Sequence, residues 1–543
     1  MTNAAEPTPQ DPPPAPPMTR KNEQRQILKS ATVMTFMTIL SRILGLVREQ
    51  VRAVLIGTGA ASDAFGLATT IPNLFRRLFA EGAMTAAFVP VFTEHLHTDT
   101  LEGTRRFLSR FVTLLTLAVV AFTVLAILIT PWLIDTFFSS EFQNVPGKVV
   151  LTIALTELMW PYLVLVTLAA VLQGILNAHK IFGPSAFAPV LMNLAIIVFA
   201  LLFKDSFSDP SYALVLGFLA GGVFQLVFQI PYLFRKTPVR FTVDFKFRDP
   251  AVYRVLKIMV PGIFAAGIYQ FNVFAAQIIA SGLEEGSVSS LQYSLRLQEL
   301  VLGVFVVSIA QVILPSMSEH TAKGDHQGLR DTIDYSTRLI AFITLPATVL
   351  LGLLGPLIVE ALFQFGAFSQ ESTDKTAAAL TFHAMGLFFI GQARVLSQAF
   401  FAQKDLKTPT LIALFDAVIN IALCLVLAEF MGHAGIALAS TLAAVVNSVL
   451  LHAYLAKKIG GIPLAPLMRR LGAIALATLT MTGVVITLTL VLPPGDLSRP
   501  LLIGWLMLAL TLAGAVFLVV ASELKINELS TLISAVKRRF RRR

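Results

Sequence analysis

Seven arginines stand inside stretches of sequence that are otherwise apolar enough to cross a bilayer: Arg42, Arg48, Arg52, Arg76, Arg77, Arg296 and Arg394. An arginine at mid-membrane depth costs about 2.5–3.5 kcal/mol on translocon scales, so several in one chain are expected to line a hydrated cavity rather than face lipid. The guanidinium is a rigid fork that bonds two phosphate oxygens at once and does not lose its proton. Arg42 and Arg48 are six residues apart, which on a helix is about 9 Å along the axis and about 120° around it, so they would grip different parts of an extended anion. Such a cluster suits a diphosphate held in low dielectric. Arg42, Arg48, Arg76 and Arg296 are the main candidates, while Arg52, Arg77 and Arg394 fit an interface or snorkelling position as well. Glu49 follows Arg48 and offers it a partner. Asp63, after Gly57-Thr-Gly-Ala-Ala-Ser62, fits a helix N-cap.

A second polar pair lies in the carboxyl-terminal half. Asp416 precedes Asn420 by four residues, so both project from one face of an otherwise apolar helix. With Asn272 or Thr441 they would make an oxygen-ligand site for a coupling cation, Na⁺, or Asp416 would relay a proton. A carboxyl kept neutral by burial, or paired with Arg394, is the plainer alternative. Other chemistry is excluded by missing motifs. There is no G-x-x-x-x-G-K-[ST] phosphate loop and no H-E-x-x-H, the one cysteine, Cys424, sits in an apolar run, and the eight histidines are scattered. No cofactor is expected beyond a coupling cation (Na⁺ or H⁺) or the membrane potential.

The elements that must position these residues follow from composition. Of 543 residues 55% are hydrophobic and 14% charged, and mean hydropathy is +0.75; soluble domains carry about 25% charged residues. A soluble protein is excluded. Uncharged runs such as Phe111–Ile134 recur from end to end, each long enough for the roughly 30 Å hydrocarbon core. With two charged spans near the amino terminus they make fourteen transmembrane helices, an all-α polytopic fold. If the amino terminus is cytoplasmic, 31 of the 42 Lys and Arg residues fall in cytoplasmic segments and four, Lys148, Lys204, Lys375 and Arg499, fall on the other side. That bias places both termini in the cytoplasm, and the net charge of +10 then reads as an orientation signal with affinity for membrane lipids, not as a nucleic-acid site. Phe88–His95 matches Ile313–His320 at an offset of 225, and Leu172–Lys180 matches Leu396–Lys404 at 224. Two agreeing offsets indicate two six-helix lobes related by an axis along the membrane normal. The expected organisation is a disordered Pro-rich cytoplasmic tail (1–26), an N-lobe (27–236), a C-lobe (250–458), two further helices (468–523) and a basic cytoplasmic tail (524–543), with a cationic cavity between the lobes.

Ser41-Arg-Ile-Leu-Gly-Leu-Val-Arg48-Glu49, Ser62-Asp63-Ala-Phe65 and Ile71-Pro-Asn-Leu-Phe-Arg76-Arg77-Leu-Phe-Ala-Glu81-Gly-Ala83 together resemble the MurJ (MviN) family of lipid II flippases. The likeness runs on through Trp160-Pro-Tyr162, Gln173-Gly-Ile-Leu-Asn177, Ser294-Leu-Arg296-Leu297 and Lys404-Asp-Leu-Lys-Thr-Pro409, over nearly all of 27–520. That family belongs to the multidrug/oligosaccharidyl-lipid/polysaccharide exporter superfamily. The resemblance implies a non-enzymatic flippase of the bacterial inner membrane that moves lipid II, with cell-wall synthesis proteins as candidate partners. It implies cavity arginines at Arg42, Arg48, Arg76 and Arg296, with Asp63 and Arg394 as further site residues and a lipid-tail groove along the last two helices; Arg77 is added from its intramembrane position alone. Glu49 departs from the aspartate common in the family. The rival readings are a flippase for another polyprenyl-linked glycan, a multidrug exporter, a polyprenyl-phosphate transferase or phosphatase, and a membrane scaffold.

Overall fold

The computed structural model describes residues 20–79, 83–461, 464–495 and 497–530. Residues 1–19 of the expected Pro-rich tail, Ala80, Glu81 and Gly82 of the arginine motif, and residues 531–543 of the basic tail lie outside them. Among the described residues there is no strand.

The first helix, α1 (Arg20–Ile56), begins seven residues before the boundary expected at 27. It turns into α2 (Ala60–Phe79) at Gly57, whose φ of 53° and close approach to the Ala367 carbonyl exclude a side chain. Then come α3 (Ala83–Thr98), α4 (Leu101–Phe137), the single turn α5 (Ser140–Gln143), α6 (Lys148–Met159), α7 (Pro161–Ala178), α8 (Gly183–Phe203) and α9 (Ser211–Lys236). An irregular linker, 237–249, leads to α10 (Pro250–Ser281), followed by α11 (Ser287–Val301), a π-helical turn at Leu302–Val306 and α12 (Val307–Ala322). The chain closes with α13 (His326–Leu353), α14 (Gly355–Phe363), α15 (Gln370–Met385), α16 (Leu387–Ala402), α17 (Lys407–Lys458), α18 (Leu464–Val491) and α19 (Arg499–Glu523).

Among the described residues nine helical stretches are long and apolar enough to span a membrane. Two bent pairs, α10 at 40° between Phe264 and Gly267 and α15–α16 at 42°, bring the number to eleven. Asp63, Arg76 and Arg77 keep α2 out of that set. A straight α17 of 52 residues would run about 78 Å, more than twice the hydrocarbon thickness. It breaks at Gly432 (φ 57°, ψ −140°), and Gly435 lets the two halves close, since a β-carbon there would meet the Leu427 carbonyl at 2.2 Å.

Helices α1, α2, α6, α7, α8 and α9 pack as one bundle, and α11, α12, α13, α15, α16 and α17 as another. Helix α10 touches both, lying on α2 and α3 and on α17, while α18 and α19 pair with each other against α13. The repeat seen in the sequence has a backbone counterpart. Lys180 and Lys404 both take left-handed φ, 60° and 59°, just beyond the ends of α7 and α16, and Pro90 and Pro315 both sit inside helices. Helices interrupted by proline are stable in a bilayer because neighbouring groups re-satisfy the freed backbone.

Candidate functional site

The two bundles enclose a cavity of about 980 Å³, walled by α1, α2, α7, α8 and α9 on one side and α10 and α11 on the other. Six of the seven intramembrane arginines line it: Arg42, Arg48, Arg52, Arg76, Arg77 and Arg296. The acids that line it are Glu49 and Glu299, a surplus of four positive charges. Side-chain amides supply much of the remaining polar wall, among them Asn73, Asn193, Gln270, Gln277 and Gln292.

Glu49 organises the charge. Its buried carboxylate meets Arg48 Nη2 at 2.6 Å, Arg296 Nη2 at 3.3 Å and Arg52 Nη1 at 3.6 Å. Three guanidiniums thus share one carboxylate, which offsets the repulsion among them. Arg48 also donates to Asn193 Oδ1 at 3.0 Å, and Arg296 to Glu299 Oε2 at 3.1 Å. Arg52 is fixed more tightly, between the rings of Phe65 and Tyr293 at 5.0 and 4.9 Å, with bonds to Gln292 Oε1 and the Ser62 carbonyl. Arg42 donates to the Gly303 carbonyl at 3.0 Å, and Gly303 lies in the π-helical turn, where the widened backbone frees carbonyls from the helix ladder. Arg76 Nε bonds Asn73 Oδ1 at 2.9 Å. The arrangement can hold an anion that offers two adjacent charges, through Arg48 and Arg296 on opposite bundles.

Other expected residues lie elsewhere. Asp63 is buried outside the cavity lining, in the first turn of α2, and caps no helix of its own. It pairs with Lys148 at 3.0 Å and accepts from the backbone of Gly286 and from both the backbone and hydroxyl of Ser289, each at 2.9 Å. It is a clasp between bundles. Lys148, counted from the sequence only as one of four cations on the non-cytoplasmic side, is 3% exposed because it fills that pocket. Arg394 is exposed on α16, away from the cavity, and makes no ion pair with Asp416 among the described residues. Asn420 donates to Asn272 Oδ1 at 2.8 Å, as the sequence allowed, whereas Thr441 bonds the Phe382 carbonyl. Asp416 keeps Oδ1 buried without a hydrogen-bond partner. Asn193, Gln292 and Gly303 escaped the sequence reading, since a lone amide or glycine in an apolar helix gives no local signal of what it faces.

The fold is that of a superfamily of membrane exporters. A multidrug resistance MATE family transporter of the MOP superfamily, in an inward-facing conformation, superposes with a TM-score of 0.66 over 79% of this chain and 98% of its own, at 15% identity. The model of the family described as lipid II flippase MurJ matches residues 52–525, and the chain belongs to that family. The probable lipid II flippase MurJ of Vibrio cholerae serotype O1 is 34% identical over 510 residues, 92% of this chain and 96% of its own. That of Treponema pallidum is 34% identical over 438 residues, 79% and 82%. A solved lipid II flippase MurJ in an inward closed conformation gives a TM-score of 0.75 over 90% of this chain and 98% of its own, at 26% identity.

Proposed function

We propose that this protein moves lipid II from the inner to the outer leaflet of the bacterial cytoplasmic membrane by alternating access. The observation that carries this reading is the charge of the cavity, six arginines against two glutamates in a chamber walled by both bundles. A diphosphate bears two adjacent charges, and guanidinium forks bind phosphate oxygens in pairs without losing their own charge. Family membership supports the polyprenyl-linked glycan. In this reading Arg42, Arg48, Arg76 and Arg296 capture the diphosphate with Arg77 beside them, and Glu49 holds Arg48 and Arg296 in place until the anion arrives. No covalent step is involved.

The chain is taken as fourteen spans: six in the N-lobe (27–236), with α2–α3 and α6–α7 each counted once, six in the C-lobe (250–458), with α17 counted twice, and α18 and α19 (468–523). The break at Gly432 supports that count. The cation bias of 31 to four supports cytoplasmic termini. Exposed Leu479 and Met507 support α18 and α19 as the lipid-tail surface. Carrying two negative charges outward across an inside-negative membrane runs down the electrical gradient and gains about 2.3 kcal/mol per charge per 100 mV, so the potential favours the loaded step. The unpartnered oxygen of Asp416 supports that residue, with Asn420 nearby on the helix, as the place where Na⁺ or a proton resets the empty carrier.

The test follows lipid II reaching the outer leaflet in cells depleted of their own flippase. Wild type restores exposure, and Arg48→Ala and Arg296→Ala at matched expression do not. Arginine variants that restore it fully overturn the capture mechanism, and a wild type that fails to restore it overturns the substrate.

A further inference from the structure

The linker between α9 and α10 is not a slack connection. It climbs α4, with Arg105 donating to the Pro238 carbonyl at 2.8 Å, Ser109 Oγ accepting from Thr242 N–H at 3.0 Å, and Thr113 Oγ1 accepting from Asp244 N–H at 3.1 Å. Residues 105, 109 and 113 stack along one helix face, so the linker rises about 12 Å up the side of a membrane-spanning helix. It then returns to Asp249, the N-cap of α10. Arg110 clamps both ends of the return, bonding Asp244 Oδ2 at 3.0 Å and Asp249 Oδ2 at 2.9 Å.

Three backbone donors of the linker are met within it. Lys246 N–H bonds the Asp244 carboxylate, Phe247 N–H the Phe245 carbonyl and Asp249 N–H the Phe247 carbonyl. Donors left unpaired, such as those of Val243 and Phe245, are satisfied by water at the headgroup level and not in the hydrocarbon core. Outward from it point Val243, Phe245 and Phe247, 72%, 65% and 37% exposed, with Tyr253 at 69% on the first turn of α10. Between them stand Lys246 and Arg248, exposed and without ion-pair partners among the described residues. Aromatic rings alternating with unpaired cations, at the depth where a spanning helix leaves the water, match the boundary between headgroups and acyl chains.

We infer that linker residues 243–248 form a binding site for anionic phospholipid, with Val243, Phe245 and Phe247 seated among the acyl chains and Lys246 and Arg248 on headgroup phosphates. The site ties the junction of the two bundles to the surrounding lipid, whatever the cavity carries. To test it, a nitroxide is placed at Phe245→Cys, and for comparison at Lys323→Cys in the exposed turn after α12, the native Cys424 being buried. Each protein is reconstituted in phosphatidylcholine vesicles with and without one quarter phosphatidylglycerol. At position 245 molecular oxygen relaxes the label several-fold more than a nickel chelate does, with the reverse at 323. Adding phosphatidylglycerol slows the 245 label, and Lys246→Glu/Arg248→Glu abolishes that response while leaving the spectrum in pure phosphatidylcholine unchanged. The inference is overturned if the chelate reaches 245 as readily as 323, which would mean a face turned to water or to a protein. It is equally overturned if the charge-reversed variant responds to phosphatidylglycerol as wild type does. A changed spectrum of that variant in pure phosphatidylcholine would overturn the surface role of the two cations, since it would place them in holding the linker on α4.

Discussion

Glu49 is the residue on which the cavity's charge depends, because its side chain, 8% exposed, is the shared partner of Arg48, Arg52 and Arg296. Removing one member of a buried ion pair costs about 3–5 kcal/mol; Arg296 is 39% exposed and screened by the cavity, so Glu49→Gln should lose about 2 kcal/mol. Thermal unfolding in detergent measures this. Farnesyl diphosphate, an anion of the right kind, should then raise the melting temperature of Glu49→Gln more than that of wild type, and equal shifts would remove the arginines from diphosphate binding. Gly303 makes a second prediction. A β-carbon there would lie 2.2 Å from Arg42 Nη1, and because the guanidinium ends a flexible chain it swings away instead of breaking the fold. Gly303→Ala should keep stability within about 1 kcal/mol, the worth of one hydrogen bond, while lowering lipid II exposure in depleted cells. The arginines were legible in the sequence because a charge in an apolar run is costly wherever it lands. Their partners were not, since nothing local tells Arg42 that it will meet a carbonyl from a π-helical turn.

At the scale of elements, the Lys404–Pro409 motif has a structural explanation. Asp405 accepts from Thr408 N–H at 3.0 Å and from the Thr408 hydroxyl at 2.9 Å, and meets Lys458 at the far end of α17. One side chain therefore closes both ends of a helical hairpin bent at Gly432. Lys458 first, then the Thr408 N–H, hold its carboxyl down at about 2. A depressed carboxyl stabilises the fold above its unfolded value of 3.8 and loses that contribution as the pH falls toward 2. Asp405→Asn should therefore lower stability at neutral pH by about 1 kcal/mol, the range of a lost cap, and the gap to wild type should close between pH 4 and pH 2 in thermal melts. A gap constant with pH would assign the loss to packing. Spans such as Phe111–Ile134 followed directly from apolar length. The breaks at Gly386 and Gly432 did not, because a glycine in an apolar run permits a bend without requiring one.

At the scale of the molecule, the bundles are held together on the side of the Gly57 turn. Asp63 binds Lys148 and the start of α11, Glu285 accepts from Ala60 N–H at 2.7 Å, and Thr58 meets Ser372 at 2.6 Å. Alternating access requires these contacts to part. Asp63→Ala strands a buried lysine and should cost about 3–5 kcal/mol, with Lys148→Ala in the same chain recovering part of it, a coupling that a double-mutant cycle reads directly. In vesicles the same Asp63→Ala change should speed labelling of Ser372→Cys by a membrane-impermeant maleimide. Unchanged labelling would mean that the clasp does not gate this face.

The sequence alone determined that this is an all-α membrane protein with an internal repeat and arginines where lipid cannot be, since apolar length and the cost of a buried charge are local properties of the chain. Tertiary structure decided how those charges are matched. Glu49 finds Arg296 across 247 residues and Asp63 finds Ser289 across 226, pairings that exist only once two bundles face each other. It also took Asp63 out of the role its neighbours in sequence suggested, because a buried charge settles wherever the fold supplies its counter-charge and donors, at whatever distance along the chain.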